Sequence, residues 1–389
     1  MLFHQSRATR SGVRAALVPA ISLAVGAALT ATSALPSAAT SQQRAAAQFR
    51  PAHAAAGWQG TQLDKSGAIP SPFGGGFKDW GLTVDTGFAL AADGQHPGKL
   101  SAVTTALRDH WFADYVTFRA AAGQPRAISA NAAAKTLVAA KVLGRNARNF
   151  GGRDVRKMVL ARVGGTGVGE ELGRLTDRTT VGSPDDFSNT FGQAFGVIGL
   201  ARSGGVPTEV VDYLIDQRCS AGYFSIVESP NQTCDEAGSP ADVDATALAV
   251  QALIAARDSG VTLPDGVLGG TLAWLVSVQK TNGSFGGGVG TEASNSNSTG
   301  LAAQALKAAH RNTPAEAAKL WVSRIQITPG KAGNGPAKKD IGAIAYNREG
   351  FRDAIENGLT DTSRGQFQRA TPQAYFAIDP QPLGVLTAP

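Results

Sequence analysis

Sulfur is almost missing from this chain. Two cysteines occur in 389 residues, Cys219 and Cys234, and the five histidines, His4, His53, His96, His110 and His310, are scattered along the sequence. Neither type forms a cluster with metal-ligand spacing, so no metal site and no cofactor is expected. Aromatic residues make up only 7 % of the chain, which is sparse for a protein with an aromatic-walled interior. No run of Lys and Arg stands out. The net charge of +6 falls to +3 without the first 39 residues, which hold Arg7, Arg10 and Arg14 and no acid. That is no basic footprint for nucleic acid. Beyond those residues no apolar run approaches the length of a membrane span.

What is present begins at the N-terminus. A basic head is followed by an apolar stretch from Ala15 to about Leu35 and by the small residues Ser37 and Ala39. This is the layout of a secretory signal cleaved after Ala39; an uncleaved anchor is the other reading. Export suits a Cys219–Cys234 disulfide, with two free thiols as the alternative. The remaining chain is expected as a flexible segment over 40–75, with Ala and Gly runs and Pro70-Ser71-Pro72, followed by one repeat domain over 76–389, secreted and monomeric.

The domain reading rests on self-similarity. Asp244-Ala-Thr-Ala-Leu-Ala-Val-Gln251-Ala-Leu253 recurs 53 residues later as Asn297-Ser-Thr-Gly-Leu-Ala-Ala-Gln304-Ala-Leu306. Weaker copies open at Asn189-Thr190, at Asp85-Thr86, at Ile128-Ser129 and, with an atypical Pro372, at Arg369-Ala370-Thr371. Each starts with a capping-type residue and runs Ala-rich with almost no polar face, which predicts a helix buried nearly all round. A second, amphipathic helix follows each one. It ends in Gln and a Gly-aromatic turn, as in Trp274…Gln279-Lys-Thr-Asn-Gly283-Ser-Phe285. Alternating buried and half-buried helices close best as two concentric rings. An open solenoid would need polar caps at both ends, and none is visible.

These residues resemble the terpenoid-cyclase and protein-prenyltransferase superfamily over roughly 75–330. The resemblance implies an all-α fold, an α/α toroid of about six inner and six outer helices. Gln279-x-x-x-Gly283-x-Phe285 is similar to that superfamily's Gln-Trp repeat, with Phe in place of Trp. Asp242-Val-Asp244-Ala-Thr-Ala is similar to the acidic motif of the class II cyclases. The likeness makes Asp244 the acid that protonates an alkene and Asp242 its support, while Ala245 replaces the motif's third Asp. The plain alternative for Asp244 is a helix N-cap. Prenyltransferase activity is excluded because the zinc-binding Cys and His are lacking. The chain also resembles the toroid domain of vitamin B12 carriers, which bind without catalysing, but residues 330–389 are too short for their closing β domain. The expected function is therefore binding of an apolar small molecule or an extracellular partner, with Asp85, Phe88, Phe191, Phe195, Gln251 and Gln304 on the inner helices as the contact residues. The alternative is an isoprenoid cyclase.

Overall fold

The computed structural model describes residues 48–72, 74–119, 126–164, 171–177, 186–229 and 232–389. The secretory-signal reading of residues 1–39 lies outside them. The protein is mainly helical, with 14 α-helices among the described residues and one two-stranded antiparallel sheet, Thr117–Phe118 against Ala127–Ile128. In chain order the helices are α1 (Pro51–Thr61), α2 (Trp80–Asp93), α3 (Pro97–His110), α4 (Ala130–Val142), α5 (Val155–Leu160), α6 (Thr190–Ala201) and α7 (Thr208–Asp216). They continue with α8 (Val243–Asp258), α9 (Val267–Ser277), α10 (Ser296–Ala308), α11 (Asn312–Arg324), α12 (Pro329–Ala332), α13 (Arg348–Asn357) and α14 (Asp361–Ile378). No helix among the described residues is long and apolar enough to cross a membrane.

One cap recurs. Asp79, Ser129, Asn189, Asp242 and Asn295 each accept a hydrogen bond from the backbone N–H three residues on, opening α2, α4, α6, α8 and α10. Each such bond satisfies an amide that the helix leaves without a partner and stabilises it by about 1 kcal/mol. The register of three copies shifts as a result, and in α10 the cap is Asn295, not Asn297. The α8 cap is Asp242, two residues before Asp244, so Asp244 is not an N-cap. The first copy opens at Asp79, not at Asp85, which sits a turn and a half inside α2.

Four residues beyond the cap, a side chain holds the incoming loop. Thr83, Thr246 and Thr299 accept hydrogen bonds from the N–H groups of Ile69, Phe224 and Phe285, at 2.9–3.0 Å. Gln193 does the same for Leu175 at 2.8 Å. Thr371 plays this part for Ile344 in α14. That helix starts ten residues earlier, at a capping box on Thr360, and carries Pro372 within it.

The residues that pack follow from composition. Helix α8 buries Val243 and every residue from Ala245 to Ala256, which its Ala-rich sequence allows at close interhelix distance. The order of contacts is α2 to α4, α4 to α6, α6 to α8, α8 to α10, α10 to α14, and α14 back to α2. The amphipathic helices lie against these: α3 on α2, α7 on α6 and α8, α9 on α8, α11 on α10 and α14, and α1 on both α2 and α14.

The segment 40–75, expected to be flexible, contains α1. Ala55, Ala56, Trp58 and Gln59 are buried there. Trp58 donates to Asp340 at 3.1 Å and Gln59 to Thr86 at 2.8 Å. Its Ala-rich composition, read as a linker, is that of a packed helix. Cys219 and Cys234 form a disulfide, closing the loop between α7 and α8.

Candidate functional site

A cavity of about 430 Å³ lies between helices α2, α4, α6, α8, α10 and α14. A simple positional rule describes its wall. Counting from each cap, positions +2, +6 and +9 fall on one helix face. From α2 they give Asp85 and Phe88; from α4, Asn131 and Lys135; from α6, Phe191 and Phe195; from α8, Asp244 and Leu248; from α10, Leu301 and Gln304. All line the cavity. Helix α14 adds Gln373 and Phe376, and Tyr115 reaches in from beside the short sheet.

Six of the eight residues singled out in the sequence for catalysis or binding are therefore brought together: Asp85, Phe88, Phe191, Phe195, Asp244 and Gln304. Gln251 and Asp242 are not among the lining residues. Gln251 occupies the +9 position of α8, but its side chain is buried and serves the C-terminal tail. Its Nε2 donates to Gln304 Oε1 at 3.0 Å, and its Oε1 accepts from the Leu383 N–H at 3.0 Å. Gln304 in turn donates to the Gln381 carbonyl at 2.7 Å. The two repeated glutamines thus bind the chain's own tail, and Leu383 becomes part of the cavity wall.

The polar groups differ in character. Lys135 Nζ lies 2.7 Å from Asp85 Oδ1 and donates to the Gly81 carbonyl at 3.1 Å. Burial lowers the Lys135 pKa, but Asp85, Tyr115 and Asp79 together more than offset this, so the ammonium is held above its ordinary value. The pair is a fixed dipole on one wall, and the ammonium also lies 5.7 Å from the centre of the Phe195 ring, within reach of its π face.

Asp244 is the opposite case. Burial raises its pKa to about 7, with the Asp242 charge adding to the shift and a hydrogen bond from Ser298 opposing it. Its Oδ1 is buried without a hydrogen-bond partner, and so is Oδ1 of Asn297, the matching +2 residue of α10. Asp242 is engaged otherwise. Its carboxylate accepts from the Ala245 N–H at 2.8 Å, and burial raises its pKa despite that bond.

Several lining residues escaped the sequence reading, Lys135, Asn131 and Phe376 among them. Lys135 and Asn131 stand in a copy whose cap was not fixed, and Phe376 follows the atypical Pro372. The cap-plus-six rule would have found Lys135, since Ser129 is a good capping residue. Two histidines were read as scattered, yet the fold gathers His53 and His96 around Asp93.

No family model matches this chain, and no curated protein matches it. Two of the solved structures similar to it are these. One, described as the crystal structure of a protein from Actinoplanes, has a TM-score of 0.48 at 16 % identity over 84 % of this chain and 98 % of that one. The other, described as a wild-type glycosidase, has a TM-score of 0.47 at 13 % identity over 85 % of this chain and 98 % of its own. Neither assigns this chain a family or an activity.

Proposed function

We propose that the protein is an exported, monomeric α/α toroid that binds an apolar small molecule in its bore without transforming it. Two observations support closure into a double ring over an open solenoid. Contacts among the inner helices return from α14 to α2. Gln326, at the end of α11, donates to the Gly342 carbonyl and to the Pro51 carbonyl of α1 at 2.8 Å, tying the last repeat to the first helix.

The observation that carries the binding reading is the cavity itself. Its size lies in the range of small-molecule sites. Phe88, Phe191, Phe195, Phe376, Leu248 and Leu301 give it apolar walls, with a few placed polar groups among them. Near neutral pH Asp244 is partly protonated and can donate a hydrogen bond to a ligand oxygen.

The test is native mass spectrometry of the purified protein with a panel of linear isoprenoids and fatty acids. A one-to-one complex of unchanged ligand mass is expected, and Phe195→Asp should lose it. Retention of nothing, or equal retention by Phe195→Asp, would refute the proposal.

A second reading, isoprenoid cyclisation started by Asp244, is favoured by one fact: Asp244 faces an apolar cavity and does not cap its helix. Its proton affinity argues the other way. Protonating carbon needs a strong acid, and burial makes Asp244 a weak one. Ala245 supplies no carboxyl to offset this, and Asp242 is spent on its cap. Cyclic product from wild type that disappears in Asp244→Asn would establish that reading.

A further inference from the structure

Two carboxylates line the cavity, and one of them lacks a counter-charge. Asp85 is matched by Lys135, whose Nζ lies 2.7 Å from its Oδ1. Asp244 has no such match. No cation among the described residues stands beside it, its Oδ1 is buried without a hydrogen-bond partner, and a hydrogen bond from Ser298 is its polar contact. The flanking helices explain this. Beside Asp244, α6 contributes Phe191 and Phe195 to the wall and α10 contributes Leu301, none of which carries a positive charge. Among the described residues no Arg and no second Lys lines the cavity.

We propose that the cavity takes an amphipathic amine, its ammonium paired with Asp244 and its apolar body lying along Leu248 towards Leu383. The proposal rests on the reading of this cavity as a binding site for an apolar small molecule and adds the head group. Burying a carboxylate with no cation beside it is costly, and a cationic ligand would remove that cost. The same wall already accommodates an ammonium. Lys135 keeps its charge although burial opposes it, beside Asp85 and 5.7 Å from the centre of the Phe195 ring. Phe191 and Phe195, on the helix next to α8, place aromatic rings in the wall for a second cation. Burial raises the Asp244 pKa to about 7, and an ammonium beside it would stabilise the carboxylate and draw that value down. An anionic head would meet the reverse situation. The cation of the wall, Lys135, is already paired with Asp85, and the Asp242 charge adds to that of Asp244.

The shape agrees. Leu248 lies about one turn beyond Asp244 on α8, and Gln251, which accepts from the Leu383 N–H, lies further along the same helix. From Asp244 to Gln251 the helix rises about 10 Å, and Leu248, Leu301, Phe376 and Leu383 belong to the wall. A head group held at Asp244 therefore leaves an apolar length of that size for a short chain.

The test varies the head group on one chain. Octylamine, octanol and octanoate are titrated calorimetrically into the purified protein at about pH 8, where an alkylammonium keeps its proton. Octylamine should bind one to one, about tenfold or more tighter than octanol, with octanoate weakest. Asp244→Asn keeps the shape and removes the charge, and should bring octylamine to within about threefold of octanol. Asp265→Asn, which removes an exposed acid outside the cavity, should leave the wild-type ratio. Octanol or octanoate binding as tightly as octylamine would overturn the proposal and leave the apolar-cavity reading in place. An amine preference that survives Asp244→Asn would do the same. Lack of saturable binding by all three below about 1 mM would overturn both. The wild-type series reads the head-group preference even where a variant fails to fold.

Discussion

Asp244 carries a stability cost that depends on pH. Its folded pKa of about 7 stands above the ordinary 3.8 because burial disfavours the charge. The folded state therefore holds the proton more tightly than the unfolded chain, so stability present below about pH 4 is lost as pH rises towards 7. Asp244→Asn keeps the shape and removes the titration. It should match wild type in urea unfolding at pH 4 and exceed it at pH 8 by on the order of 2 kcal/mol. Equal stability at both pH values would show that the carboxyl is solvated. Glu228, also raised to about 7 by burial and only partly compensated by Arg174 at 3.0 Å, adds a pH-dependent loss of the same sign. A double variant with Glu228→Gln should flatten the profile further. The acidic pattern around Asp244 was legible in the sequence. Its surroundings were not, because Ser298 meets it only through the packing of α8 against α10.

At the scale of the element, the Gly-aromatic turn fixes how each repeat meets the next. Gly283 has φ of 91° and Gly342 has φ of 106°, a region that only glycine adopts cheaply. A Cβ at Gly283 would also overlap the Ala317 carbonyl of α11, and one at Gly342 the Ala54 carbonyl of α1. Gly283→Ala and Gly342→Ala should each lower stability by about 3 kcal/mol, combining backbone strain with a steric clash. Gly290→Ala is the control. It shares the positive φ of 82° but faces open space, and should cost only about 1 kcal/mol. A similar loss at all three positions would mean that the close approach contributes nothing. Replacing both cysteines by serine should remove roughly 3 kcal/mol, the loop-closure value for a ring of this length, read as a lower melting temperature.

The repeat was readable at this scale because its determinants are local: a capping residue, a Thr four positions on, a Gly at a turn. Thr246, Gln279 and Gly283 announce themselves. The two misplacements share a cause. Around Asp79 and Asp85 two Thr residues, Thr83 and Thr86, stand near capping-type acids, and only the bond from Ile69 to Thr83 decides which opens the helix. In α1 the decisive partners of Trp58 and Gln59 are Asp340 and Thr86, one of them 282 positions away, so an Ala-rich segment read alone looks like a linker.

For the whole molecule the C-terminal tail is the part that no repeat foretells. After α14 it crosses the C-terminal ends of α2, α4 and α6. Gln381 donates to the Ala92 carbonyl of α2 at 2.9 Å, and Ala388 donates to the Val142 carbonyl of α4 at 2.6 Å. Arg202, just past α6, donates to the carbonyls of Leu383 and Leu386 and to the Thr387 hydroxyl. Burial lowers the Arg202 pKa to about 10, so this guanidinium is a desolvated cation satisfied by tail oxygens. Leu383 and Leu386 are 3 % exposed, each worth about 2 kcal/mol of burial. The tail therefore packs across these helix ends, and Leu383 forms part of the cavity wall. Ending the chain at Asp379 should strip Arg202, Gln251 and Gln304 of their tail partners and open the cavity at Leu383. The truncated protein is expected to keep its helical circular dichroism, melt at lower temperature and bind an environment-sensitive hydrophobic dye more strongly than wild type. Arg202→Met should fall between the two, since it frees the tail while leaving its leucines in place. A truncated protein with unchanged melting temperature and dye binding would show that the tail neither closes the cavity nor holds these helices together.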